Sequence, residues 1–154
     1  MKDASKTKPS ARPSAAGARL ARSGSLRSLD RIMKILLDPG GCPWDRRQSH
    51  ATLVKYLREE AGEVACAVRK KDWRNLKEEL GDVLLQVVFH SELARRAGRF
   101  TLADVIRTVN SKMVRRHPHV FGRAGKLSTP AQVLREWAKI KQAEKKRAAS
   151  GKKA

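Results

Sequence analysis

No stretch of useful length in this chain alternates apolar and polar residues with period two. Every apolar-rich segment repeats at three and four residues instead. That spacing lines apolar side chains along one face of a helix and gives a sheet nothing to bury. The expected fold is therefore an all-α antiparallel helical bundle with short connections. Leu26, Leu29, Ile32, Met33 and Leu36 mark a first helix over 26–37, which the DPGG run ends because Pro39 and two glycines cannot continue it. GCPWDRRQSH reads as a compact loop, followed by a helix from about Ala51 to Lys70. Asp72 is placed to cap the next helix, with Leu76, Leu80, Val83, Leu84, Val87 and Val88 at helical spacing, and Gly98 ends it. Thr101 and Asp104 resemble a capping box for a helix carrying Val105, Ile106, Val109 and Met113, which stops before Pro118. RHPHVFGRAGK reads as loop. Thr129, with Pro130 at the first helical position and Gln132 behind it, opens the last helix through Val133, Leu134, Trp137 and Ile140.

The 154 residues suffice for one domain with a real core, expected over 26–145. Residues 1–25 hold six Lys/Arg against one Asp, and residues 139–154 hold seven against one Glu, so the ends carry 11 of the 20 net positive charges. Residues 1–25 and 146–154 are expected to be disordered basic tails, suited to weak, nonspecific contact with nucleic acid. An Arg/Ser-rich start also suits a transit peptide, but Pro9 and Pro13 interrupt any amphipathic helix there. No apolar run approaches the ~18 residues of a membrane span. Cys42 and Cys66 are expected to be reduced thiols in a cytoplasmic chain, too far apart in sequence for a zinc clip.

Against this pattern, LREEAGEVACAV (57–68) is anomalous. Glu60 falls where the stripe Leu53, Leu57, Val64, Ala67 calls for another apolar residue. A buried charge costs several kcal/mol, by order of magnitude, unless a counter-charge or metal compensates it. The following helix repeats the oddity, so two consecutive helices each carry an acidic pair at i,i+3: Glu60 with Glu63, and Glu79 with Asp82. The short turn at 70–73 makes these helices antiparallel and brings the pairs level. Four converging carboxylates, offering oxygen alone, select a hard cation such as Mg²⁺ or Mn²⁺. Gly62 and Gly81 lie inside the pairs, leaving space for close helix approach or for a ligand. A di-iron bundle needs Glu-x-x-His on two helices, and His90 has Val87 three residues earlier. His90 is expected to be packed or capped.

The run Glu59-Glu60-x-x-Glu63 followed by Glu79-x-x-Asp82 resembles the signature of the MazG nucleoside triphosphate pyrophosphohydrolases. GCPWD (41–45), ELGDVLLQVVFH (79–90), RRHPHVFG (115–122) and VLREWAKIK (133–141) are similar to MazG segments in family order, covering about 26–145. The segment is most like the first copy of members with two tandem domains. The resemblance implies an all-α enzyme, Mg²⁺-dependent and dimeric or larger, that hydrolyses NTPs or dNTPs to the monophosphate and pyrophosphate in nucleotide-pool house-cleaning. A weak or inactive nucleotide-sensing or scaffolding module is the alternative. Metal binding then falls to Glu60, Glu63, Glu79 and Asp82, and a general-base or supporting role to Glu59. By the same resemblance Lys112 and Arg116 contact the triphosphate, and Trp137 and Lys141 help hold the nucleotide. Trp137 and Trp44 suit base stacking or core packing equally. Asp45 suits a turn cap, and His117 and His119 a structural role.

Overall fold

The computed structural model describes residues 12–122, 125 and 127–150. Among them lie seven α-helices and no strand, as the missing period-two pattern requires: α1 (Ala15–Ala21), α2 (Leu26–Leu37), α3 (His50–Lys70), α4 (Trp73–Arg96), α5 (Leu102–Arg116), α6 (Pro118–Phe121) and α7 (Pro130–Ser150). The chain divides into two compact units, 1–102 and 103–154. No helix is long and apolar enough to cross a membrane among the described residues. Both cysteines are free thiols.

The first unit is built on the α3–α4 hairpin. Ser49 and Thr52 form a reciprocal capping box that starts α3: the Thr52 N–H donates to Ser49 Oγ at 3.2 Å, and the Ser49 N–H to Thr52 Oγ1 at 2.9 Å. Lys71 ends the helix in the left-handed conformation (φ 55°), and the Asp72 N–H reaches back to the Ala67 carbonyl at 3.0 Å. Asp72 then caps α4 by accepting the Asn75 N–H at 3.0 Å, as expected from the sequence. Two residues therefore reverse the chain. At the far end of the hairpin the His50 and His90 rings stack, with centroids 5.1 Å apart and Nδ1 atoms 2.8 Å apart. One ring must donate and the other accept, and burial followed by the His50 charge holds the His90 pKa low. This contact joins the start of α3 to the C-terminal half of α4.

α2 closes the core over this hairpin. Met33 and Leu37 of α2 meet Leu53 of α3 and Val88 and Phe89 of α4, with Leu26, Leu29, Leu36, Tyr56, Leu85 and Leu93 around them. Each fully buried side chain of this kind contributes roughly 1.5–3 kcal/mol. After α2 the chain doubles back tightly, with the Cys42 N–H on the Leu36 carbonyl at 2.8 Å. A Cβ added at Gly41 would overlap the carbonyl oxygens of Leu36 and Ile35. Gly41→Ala is thus expected to destabilise the chain by about 1–3 kcal/mol in chemical denaturation, as forced overpacking does. An unchanged midpoint would show that the turn relaxes freely.

Several expectations are corrected. Residues 15–21, placed in a disordered tail, form α1, because Ala-rich sequence has high helix propensity and Ser14 caps it through the Gly17 N–H at 3.1 Å. α7 continues to Ser150, beyond the boundary expected at 145. Residues 1–11 and 151–154 of the tails lie outside the described residues. Within the expected loop 116–126, Pro118 at the first helical position nucleates the short α6. On α4, Leu80, Leu84 and Val87 are exposed, whereas Gln86, Ser91 and Glu92 are buried. The central VLLQVVF run of α4 is apolar on nearly every side, so helical spacing alone does not say which face α3 covers.

The second unit comprises most of α5 with α6 and α7. Thr129 and Gln132 cap α7 as the sequence predicts: Gln132 Oε1 accepts the Thr129 N–H at 3.0 Å, and Thr129 Oγ1 accepts the Gln132 N–H at 3.3 Å. Arg115 and Arg116 of α5 both pair with Glu144 of α7, each at 2.7 Å, tying the helices together.

Candidate metal centre

The antiparallel hairpin brings Glu60 on α3 level with Glu79 and Asp82 on α4. Oxygens of these three carboxylates lie within 4.8 Å of one another, and all three side chains are half-buried. Burial, and then the charges of Asp82, Glu79 and Glu59, push the Glu60 carboxyl above the usual carboxylate range, with a hydrogen bond to Glu79 adding to the effect. The chain carries 35 Lys/Arg against 15 Asp/Glu. Yet none of the ion pairs among the described residues involves Glu59, Glu60, Glu63, Glu79 or Asp82. Acids held together without a basic partner in so cationic a chain fit a metal site better than a structural ion-pair network. The donor set is oxygen only, which matches a hard divalent cation.

The structure brings together three of the four expected ligands. Glu63 is exposed and outside the group, and Glu59 is likewise exposed. A residue three positions away is rotated about 60° short of a full turn, an offset that Asp82 shares with respect to Glu79 while remaining in the group. A Cβ added at Gly62 or Gly81 would meet nothing within 4 Å, so neither glycine serves close helix approach, and the space beside the acids is open.

In the second unit, Lys112 is half-buried on α5 and Arg116 is engaged by Glu144, whose carboxyl the two arginines hold down to about 2. Trp137 is half-buried, with the His117 ring edge-on at 5.0 Å and the Lys141 Nζ 5.8 Å from its ring centre. His117 Nδ1 bonds the Met113 carbonyl at 2.6 Å, in keeping with the structural role expected for it. The buried Trp137 Nε1 and His119 Nδ1 have no hydrogen-bond partner. Glu144 escaped the sequence reading, because a lone acid in a basic helix gives no signal until its partners on α5 are known.

An all-α hairpin whose two helices bring oxygen donors together across their interface is a scaffold suited to a divalent cation. Residues 48–121 match the MazG nucleotide pyrophosphohydrolase domain. The chain is 52% identical over 114 residues to the nucleoside triphosphate pyrophosphohydrolase/pyrophosphatase MazG of Thermotoga maritima, covering 74% of this chain and 43% of that protein. It is 43% identical over 115 residues to the nucleoside triphosphate pyrophosphohydrolase of Escherichia coli, again covering 74% and 43%. The crystal structure of a mazG-related protein from Thermotoga maritima superposes with a TM-score of 0.64 at 31% identity, covering 76% of this chain and 99% of that one. The chain belongs to the MazG family, and it spans less than half the length of these two curated relatives.

Proposed function

We propose that this chain hydrolyses nucleoside triphosphates to the monophosphate and pyrophosphate, using Mg²⁺, or Mn²⁺ in its place, held by Glu60, Glu79 and Asp82. The observation that carries this reading is the trio of unpaired carboxylates across α3 and α4 in a MazG-family chain. A bound divalent cation would supply charge neutralisation at the triphosphate and a more acidic coordinated water. Glu60, Glu79 and Asp82 would hold that cation with oxygens from two helices at once. Glu59, exposed beside Glu60, is free to take the proton of the attacking water. Lys112, Arg116, Trp137 and Lys141 are proposed to contact the nucleotide, Arg116 exchanging part of its bond to Glu144 for a phosphate oxygen. The exposed stripe Leu80, Leu84 and Val87 of α4 is the face proposed for self-association as a homodimer or larger assembly. The proposed setting is nucleotide-pool house-cleaning in the cytoplasm, with the basic ends making weak polyanion contacts.

Pyrophosphate release from a panel of NTPs and dNTPs, with and without Mg²⁺, tests the reading. Cation-dependent release supports it, whereas nucleotide binding without turnover would assign the chain to the sensing alternative. Glu63 is proposed as an added ligand recruited from the solvent side. Glu63→Gln is then expected to raise the Mg²⁺ concentration for half-maximal rate about ten- to a hundredfold, with the rate recovering at high Mg²⁺. A wild-type Mg²⁺ titration would remove Glu63 from the site.

A further inference from the structure

Trp44, for which the sequence leaves base stacking and core packing equally open, lies just outside the matched segment 48–121. The residue is 50% exposed, yet the loop that carries it is bonded along its backbone. The Gln48 side chain donates to the Trp44 carbonyl at 2.9 Å, the Arg47 N–H donates to the same carbonyl at 3.2 Å, and the Arg46 N–H donates to the Cys42 carbonyl at 3.1 Å. These bonds hold the backbone that carries the side chain, which itself stays half exposed. The indole meets Tyr56 edge-on, with ring centroids 5.7 Å apart and planes at 65°. Tyr56 packs on the core, and Lys55 Nζ stands 4.6 Å from its ring centre.

Tyr56 precedes Glu60 by four residues, so it lies on the same side of α3, about 6 Å along the axis. The aromatic pair is thus displaced from the acid group toward the start of α3. On α4 the matching displacement runs toward its C-terminus, where Gln86 follows Asp82 by four residues. Gln86 is 7% exposed, and its Oε1 is buried with no hydrogen-bond partner. One level of the hairpin therefore carries a half-exposed indole on a bonded loop, a neighbouring cation and a buried acceptor without a donor. The next level carries the cation-binding carboxylates. A sugar separates a nucleobase from its α-phosphate by about such a step.

We propose that Trp44 is the base-stacking residue of this site: the nucleobase lies on the exposed indole face while its phosphates meet the cation at Glu60, Glu79 and Asp82. This rests on the nucleotide reading above and names the group that grips the base. Stacking on an aromatic face suits any base, since every base has a π-surface. Trp44 accordingly sets affinity for the nucleoside half of the substrate more than the choice of base.

The test compares Trp44→Phe with Trp44→Leu in the full chain. Both keep apolar bulk in the loop, and only the first keeps a stacking face. For a purine nucleoside triphosphate with Mg²⁺, Trp44→Leu is expected to raise KM about tenfold, within the roughly 5- to 150-fold range of base stacking, with kcat within about twofold of wild type. Trp44→Phe is expected to stay within about threefold in KM. Inhibition by Mg²⁺–tripolyphosphate, which has no base, is expected to be the same in wild type and both variants. Equal KM for the two variants, or tripolyphosphate inhibition weakened in parallel with KM, would overturn the assignment. Either result leaves the metal-centre reading intact, because that reading stands or falls on the carboxylate variants.

Discussion

Asp82→Asn is expected to lower Mg²⁺-dependent pyrophosphate release by at least about a hundredfold while leaving the fold as stable as before, or more so. The two effects share one cause. Asp82 is the largest charge contribution raising the Glu60 pKa, so the three acids repel one another in the folded chain. Removing one charge relieves that repulsion, and it also removes a ligand from a cation that needs negative oxygen donors. Loss of a supporting group around a metal already costs about ten- to a hundredfold, so loss of a direct ligand belongs at or beyond the upper end. Thermal melts supply the second readout. Mg²⁺ should raise the wild-type Tm by binding the native state alone and leave the variant's Tm nearly unchanged. Release within tenfold of wild type, or an equal Mg²⁺-induced shift in both proteins, would dismiss the trio as the metal centre. A stabilised but inactive variant is the mark of residues kept for chemistry at the expense of stability.

Much of this site was legible before the structure because its signal is a violation of pattern. Glu60 interrupts an apolar stripe, and the i,i+3 acids recur on the next helix. The Asp72 and Thr129 caps and the Gly98 stop were legible for a similar reason, since each depends on residues within about four positions. Gly98 does take the left-handed conformation (φ 66°) that ends α4. What stayed hidden depends on contacts far apart in sequence. Glu63 keeps the same spacing from Glu60 as Asp82 from Glu79, yet it stands exposed outside the trio. Leu80, Leu84 and Val87 have core-like spacing, yet α3 covers a different arc of α4. The His50–His90 stack joins residues 40 positions apart, and only the folded hairpin reveals it. Local rules thus gave the helices and the chemistry, whereas the choice of buried arc required the partner helix.

The same limit hid Glu92, where the second large effect is expected. ELARR presents an acid followed at i+3 and i+4 by arginines, a common surface arrangement of small energetic weight. Here the Glu92 side chain is fully buried, with 0% exposure. It accepts from Arg95 Nε at 2.6 Å and Nη2 at 2.8 Å, and from Arg96 Nε at 2.8 Å. Arg96 continues the chain of bonds to Asp38 Oδ1 at 2.6 Å and to the Lys34 carbonyl at 3.2 Å, joining the end of α4 to the end of α2. Glu92→Ala removes the acceptor common to both arginines, but these remain 42% and 31% exposed and partly rehydrate. The cost is therefore set below the fully buried case, at about 2–4 kcal/mol, or a Tm lower by roughly 6–15 °C. Arg95→Ala, removing the more exposed partner, should cost no more than about 1 kcal/mol. Acid titration gives the sign. Burial opposes ionisation of Glu92, but the bonds from Arg95 and Arg96 outweigh it and hold the pKa below the ordinary carboxylate value. A depressed folded-state pKa contributes stability above the unfolded value and loses it as pH falls through the folded one. The stability gap between wild type and Glu92→Ala should therefore be constant near neutrality and narrow once pH drops below the ordinary carboxylate range. Urea denaturation across that interval decides the matter. A gap under about 1 kcal/mol at pH 7, or one that widens on acidification, would reduce the Glu92 network to an ordinary surface pair.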